Sequence, residues 1–221
     1  MNIPNNILKN LLTNVVFVIG TNCGGKTTMA KTLAMRHNKT LYSADEHYWN
    51  HRPLSDATHQ PNMNRPFITW EEYFSRDPRG QAEWLYACEV EEMPFILLDL
   101  VRLTDQNPKG VVADVHCVPE AILHVSDPSR IVAMTATEAV IRKEYFARDD
   151  KNPVLECIRR ETKEPEKAKA NVEATAVHIA RIERDAINAA EIFVDERSEK
   201  TDYDARLARV ETHLGWRMSN D

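Results

Sequence analysis

The chain has 221 residues, 43% hydrophobic and 28% charged, an ordinary balance for a globular enzyme and enough length for one α/β domain with a buried sheet. Its formal net charge of −6 argues against a sequence-independent nucleic-acid binder, which needs a basic face. The four cysteines, Cys23, Cys88, Cys117 and Cys157, form no C-x-x-C pair and have no histidine at zinc-ligand spacing, which points to a reducing compartment.

In chain order, 7–12 reads as a short lead-in helix. Residues 15–19, Val-Val-Phe-Val-Ile, are continuously apolar and mostly β-branched, as a strand buried on both faces requires. That run is far too short to span a membrane and no signal-peptide cleavage context accompanies it, so the expected location is cytoplasmic. A glycine-rich turn leads into a helix over 27–37, and a second strand over 40–43 ends at Asp45-Glu46. The stretch 47–66 is rich in Pro, Asn, His and Arg without a clean period and reads as a loop. Thr69-Trp70-Glu71-Glu72 fits a capping box, so a helix should start there. A longer helix over 81–103 should break or bend at Pro94. Strands at 111–114, 131–134 and 192–195 alternate with helices at 119–125, 137–146, 155–190 (broken at Pro165) and 203–214, the last closed by Gly215. Such alternation predicts a parallel sheet covered on both faces. Trp70, Tyr73, Phe74 and Trp84, at helical spacing, read as core. The charge alternation over 156–184 reads as a solvated helical face.

One motif carries chemistry. Gly20-Thr21-Asn22-Cys23-Gly24-Gly25-Lys26-Thr27 matches G-x-x-x-x-G-K-[ST] at every fixed position, and Thr28 continues it. Glycines let the backbone curl so that successive N–H groups point at phosphate oxygens, and the following helix aims its positive end at the same place. Lys26 would span the β- and γ-phosphates of ATP, and the Thr27 hydroxyl would ligate Mg2+. Roughly one chain in a hundred of this length would carry the pattern by chance. Its position between a buried strand and a helix is what makes it specific. Cys23 lies inside the loop near a helix N-terminus, where thiol pKa values tend to fall, although simple packing is its plainer role.

On this loop and its setting the chain resembles the P-loop small-molecule kinases, the group containing shikimate kinase, gluconate kinase and the nucleoside monophosphate kinases. In particular it resembles a bacterial branch of predicted kinases with an aspartate-glutamate-histidine segment after the second strand, here Asp45-Glu46-His47. The likeness covers about 15–194. It implies one P-loop kinase domain over 1–221: a three-layer α/β/α sandwich with a five-stranded parallel sheet, an acceptor-binding helical insert at 47–105 and a lid at 147–165. It also implies roles. Asp45, or its neighbour Glu46, would orient the acceptor hydroxyl and take its proton. Asp114, ending a strand as a Walker B aspartate does, would hold Mg2+ through a water, with His116 lining the same crevice. Arg148 and Arg142 would supply lid arginines that neutralise the transferred phosphoryl group.

Within the insert, Arg65 or Arg79 would suit an anionic acceptor, whereas Glu83 and Glu89 would suit hydroxyls or an amine, so the acceptor class stays open. The expected partners are a small-molecule acceptor and, at most, a second copy, the chain being a monomer or homodimer. Two alternatives stand beside this reading. One is a nucleoside or nucleotide kinase, for which the insert lacks the expected arginine pattern. The other is a non-catalytic nucleotide-binding regulator, for which N-K-x-D and arginine-finger signatures are missing.

Overall fold

In the computed structural model, which describes residues 4–216, the elements follow in the order α1 (Asn5–Leu11), β1 (Val15–Ile19), α2 (Lys26–Arg36), β2 (Thr40–Ser43), α3 (Ala44–His51), α4 (Trp70–Ser75), α5 (Pro78–Gln106), β3 (Val111–Asp114), α6 (Pro119–Leu123), β4 (Ile131–Ala136), α7 (Glu138–Glu144), α8 (Asn152–Glu161), α9 (Pro165–Ala189), β5 (Phe193–Arg197) and α10 (Tyr203–His213). The ends of the 1–221 span, residues 1–3 and 217–221, lie outside the described residues.

The strands form one parallel sheet in the order β2-β3-β1-β4-β5. β1 is central and every one of its residues is buried, which is why its sequence is apolar without alternation. Phe17 and Ile19 join Ile96, Leu100, Ile122 and Ile187 on one face of the sheet. Val18 joins Met29, Leu33, Val132 and Leu207 on the other. The helical partners come from α5, α6 and α9 on the first face and from α2 and α10 on the second, while Val132 belongs to the neighbouring strand β4. The result is the three-layer α/β/α sandwich of the P-loop fold. From β1 the chain crosses to β2 on one side and later to β4 on the other, so strand order reverses at the end of β1, where parallel sheets place their ligands.

Two expectations need correcting. The segment expected to be a loop from residue 47 opens as helix: α3 follows β2 directly and continues into a 3-10 turn, Arg52–Leu54. Its His, Tyr, Trp and Asn content gives weak intrinsic helicity, but tertiary contacts override it. Buried His51 sits 2.7 Å from Glu92 and 2.9 Å from Asp99, both on α5. The remaining irregular stretch is pinned to α5 as well. Glu91 accepts from the amides of Asn62 and Met63, and Trp84 Nε1 donates to the Asn62 carbonyl at 3.1 Å. The second is the break allowed for at Pro94: α5 runs through it without interruption as one 29-residue helix. The caps read from sequence are present: the Thr69 hydroxyl accepts from Glu72 N, and the Thr137 hydroxyl from Val140 N.

Candidate functional site

The glycine loop wraps against β4, and backbone proximity explains its glycines. A Cβ on Gly20 would lie 2.0 Å from the Met134 carbonyl oxygen, and one on Gly24 would lie 2.1 Å from it. Thr21 fastens the loop: its amide donates to Met134 O, and its hydroxyl accepts from Ala136 N at 3.0 Å. Thr21 therefore faces the sheet and anchors the loop through both its amide and its hydroxyl. Cys23 and Gly25 adopt positive φ of 60° and 89°. Among the described residues the amides of Asn22, Cys23 and Gly25 donate to no protein acceptor. The Gly24 amide between them donates to the Thr21 carbonyl at 3.2 Å, and left-handed residues bearing free amides on either side of it shape an anion nest, with α2 beginning directly behind.

Two arginines brace this loop, and neither was expected from sequence. Arg206 of α10 is buried, donates to the Gly24 carbonyl at 2.8 Å and pairs with buried Asp195 of β5. Arg197, at the end of β5, donates to the Cys23 carbonyl at 3.1 Å.

Lys26 donates to the carbonyls of Gly20 and Thr21, at 2.7 and 3.3 Å. Burial opposes its charge, yet the carboxylates of Glu183 and Asp114 hold its pKa above the ordinary value. The Thr27 hydroxyl donates to Asp114 Oδ2 at 2.7 Å, which joins the loop to the end of β3. Burial pushes the Asp114 pKa up, while the Thr27 hydrogen bond and Lys26 work the other way.

Behind Lys26 opens a cavity of about 550 Å³. Asp45, in the first turn of α3, and Asp114 and His116, at the end of β3, line it beside Lys26 and Asn22. Trp70, Tyr73, Phe74 and Trp84 of α4 and α5 form an aromatic wall, so residues expected to be core face this space. The opposite wall comes from α9, with Asn171, Thr175, Ile179 and Glu183. Within the charge alternation expected to be a solvated helical face, Glu183 is the exception, being only 4% exposed. Gln81 Nε2, Glu89 Oε2 and Glu183 Oε2 are buried without a hydrogen-bond partner among the described residues, and all three side chains line the cavity.

No family model matches the chain, and no curated protein matches it. Among solved structures it is similar to shikimate kinase from Acinetobacter baumannii in complex with shikimate, with a TM-score of 0.47 and 14% identity over 96% of this chain and 98% of that one. Likeness at that level adds nothing to what the strand order already establishes.

The other expected residues are placed as follows. Glu46 is exposed and outside the cavity, so of the α3 acids only Asp45 faces it. Thr28 is exposed, and its carbonyl accepts from Tyr203 Oη at 3.4 Å. Arg148 makes a bidentate pair with Asp150, at 2.9 Å for both bonds, and lies beside the Cys23 thiol, which puts it at the loop's rim. Arg142 is exposed on α7, 3.8 Å from Glu138, and does not line the cavity. Cys23 packs in a buried cluster with Ala136, Val140 and Ile141, the plainer role read from sequence, and burial raises its thiol pKa against the opposing pull of Arg148. Arg65 stacks over Trp84 outside the cavity, and Arg79 pairs with Glu83 in solvent. Arg76 is the one arginine lining the cavity among the described residues, and Glu72 holds it with two bonds of 2.8 Å.

Glu92 bridges two histidines, 2.8 Å from His116 Nε2 and 2.7 Å from His51 Nδ1. Burial works against charge on His116, but the Glu92 hydrogen bond and the fields of Glu89, Glu92 and Asp45 push its pKa up to about 9. A histidine whose pKa is raised on folding stabilises fully below its unfolded value of about 6.5 and loses that contribution as pH rises through about 9, at most about 3 kcal/mol. Glu89 and Glu183, also raised by burial, act in the same direction. Thermal stability should therefore fall as pH is raised from 7 to about 9.5, and His116→Asn should flatten the decline. A melting temperature level across that range in the wild-type protein would contradict the assignment.

Proposed function

We propose that this chain is an ATP-dependent phosphotransferase acting on a small hydroxyl-bearing metabolite. The supporting observation is continuity: Lys26, Asp45 and Asp114 line a single cavity that extends from the anion nest and is far larger than a phosphate group. The residues fit a nucleotide phosphate chain. Close backbone packing at Gly20 and Gly24 leaves no room for side chains, the nest amides are free, and a lysine stands at the helix start. They fit Mg2+ through the Thr27–Asp114 pair. Among the described residues no three His, Cys, Asp or Glu side chains converge on a metal by themselves, so the remaining ligands would be phosphate oxygens and water.

ATP supplies the phosphoryl group: the bond from acceptor oxygen to phosphorus forms as the bond to the β-phosphate oxygen breaks, and the hydroxyl proton leaves. The nest amides and Lys26 bind and neutralise phosphate oxygens. Asp45 orients the acceptor hydroxyl and takes its proton. The aromatic wall of Trp70, Tyr73 and Phe74 limits access of water to the reacting centre. The 147–165 segment, carrying Arg148 at the loop's rim, serves as the lid, and 47–105 as the acceptor-binding insert.

The test is ADP release over a panel of hydroxyl-bearing metabolites. One acceptor should raise release well above the background hydrolysis of ATP. With that acceptor, Asp45→Asn should lower kcat about a hundredfold with a small change in KM. Failure of every acceptor to stimulate release, or a wild-type rate in Asp45→Asn, would count against the reading.

A further inference from the structure

The deep end of the cavity holds two acids for which the proposed chemistry has no use. Glu89 on α5 and Glu183 on α9 both line it, on two helices packed against each other. Each leaves Oε2 buried and without a partner, and neither carboxylate makes an ion pair or hydrogen bond with the described residues. The cations nearby are otherwise engaged. Lys26 bonds to loop carbonyls, His116 to Glu92, and Arg76 is held by both oxygens of Glu72.

We propose that the acceptor is a cationic amino alcohol whose ammonium group is held between Glu89 and Glu183 while its hydroxyl faces Asp45. This rests on the phosphotransferase reading and narrows its substrate.

The argument is one of charge and hydrogen-bond type. Buried carboxylates without partners are costly, and folded chains retain them where a ligand completes them. A carboxylate is an acceptor-only group, and an ammonium is a donor-only group with three N–H bonds and the opposite charge. Such an ion satisfies both orphaned oxygens and supplies the countercharge that the protein does not. An anionic acceptor would meet Asp45, Glu89 and Glu183 with no free arginine to receive it, since Arg65 and Arg79 both lie outside the cavity. A neutral polyol could donate hydroxyl hydrogen bonds to both oxygens but would bring no countercharge to the two buried acids. The rings of Trp70, Tyr73 and Phe74 then suit the apolar body of the acceptor between its two polar ends. Burial raises the pKa of both glutamates, the groups facing them being Lys26, Asp45, Tyr86, Glu92, His116 and Cys117. An ammonium placed between them would draw both toward the charged form.

Calorimetry on the full chain saturated with a non-hydrolysable ATP analogue tests this. The probes are matched sets: glucosamine, glucose and glucuronate, and phenylalaninol against 3-phenylpropane-1,2-diol. The amine member of at least one set should bind about tenfold tighter than its neutral counterpart, and that preference should shrink to about twofold or less in Glu89→Gln, in Glu183→Gln and in the double variant. Either substitution removes a buried charge, so the variants should fold, with affinity for the ATP analogue as the check. The proposal is overturned if neutral or anionic members bind tighter, if the amine preference survives in the double variant, or if no amine binds to protein that still holds the analogue. Wild-type protein that fails to bind the analogue at all would overturn the phosphotransferase reading too, and that measurement comes first.

Discussion

Lys26→Ala should lower acceptor-dependent ADP release about a thousandfold or more. Lys26 is the charged donor of the loop, and the free donors beside it are backbone amides, which the proposed mechanism assigns to phosphate. Removing one preorganised donor from a buried oxyanion site commonly costs 100- to 1000-fold, and an ammonium exceeds a neutral donor. The lysine also offsets Glu183 and Asp114, whose charges hold its own pKa up, so its loss leaves those acids facing each other across the cavity. The variant should therefore also be less stable at pH 8 than at pH 6, by a wider margin than the wild type. Single-turnover ADP release and melting curves at the two pH values check both parts. Wild-type turnover in the alanine variant would remove the foundation of the proposed mechanism.

Arg206→Met should give the largest loss of stability. Arg206 and Asp195 are both buried, and the arginine also holds the Gly24 carbonyl. Deleting one partner of a buried pair strands the other, at a cost of about 3–5 kcal/mol. Arg209, which also reaches Asp195, is half exposed and tempers the loss, so about 3 kcal/mol is expected, or a fall in Tm of roughly 6–12 °C for a chain this long. Because the Gly24 carbonyl loses its donor, affinity for ATP should fall in the same variant. Arg209→Met provides the contrast: an exposed guanidinium contributes less than about 1 kcal/mol, and its loss should leave ATP affinity alone. Equal effects in the two variants would mean that the loop does not depend on α10.

What could be read from sequence was what local pattern encodes. The glycine loop, the strands at 15–19, 40–43 and 111–114, and the capping Thr69 depend on neighbours within a few positions, and the structure places them as read. The bracing of the loop could not be read that way. Arg206 meets Gly24 across 182 positions and Arg197 meets Cys23 across 174, so nothing near either arginine marks it. Glu183 was legible in principle. It occupies the apolar stripe of α9 with Ala176, Ala180 and Ile187, and a lone acid in such a stripe signals a buried charge. The surrounding alternation of exposed charges masked it. α3 was missed because its helicity depends on His51 bonding to α5, a tertiary term absent from any propensity.

β2 ends at Ser43, in register with Asp114 on β3, and α3 begins at the next residue. With no connecting residues, Asp45 inherits its position from the sheet and has no hinge of its own. One residue inserted after Ser43 would turn the whole helix by about 100° and swing that carboxylate away from Lys26. Tolerance to length changes should therefore vanish at this junction while remaining high in the turn around Ala57, where the chain is exposed.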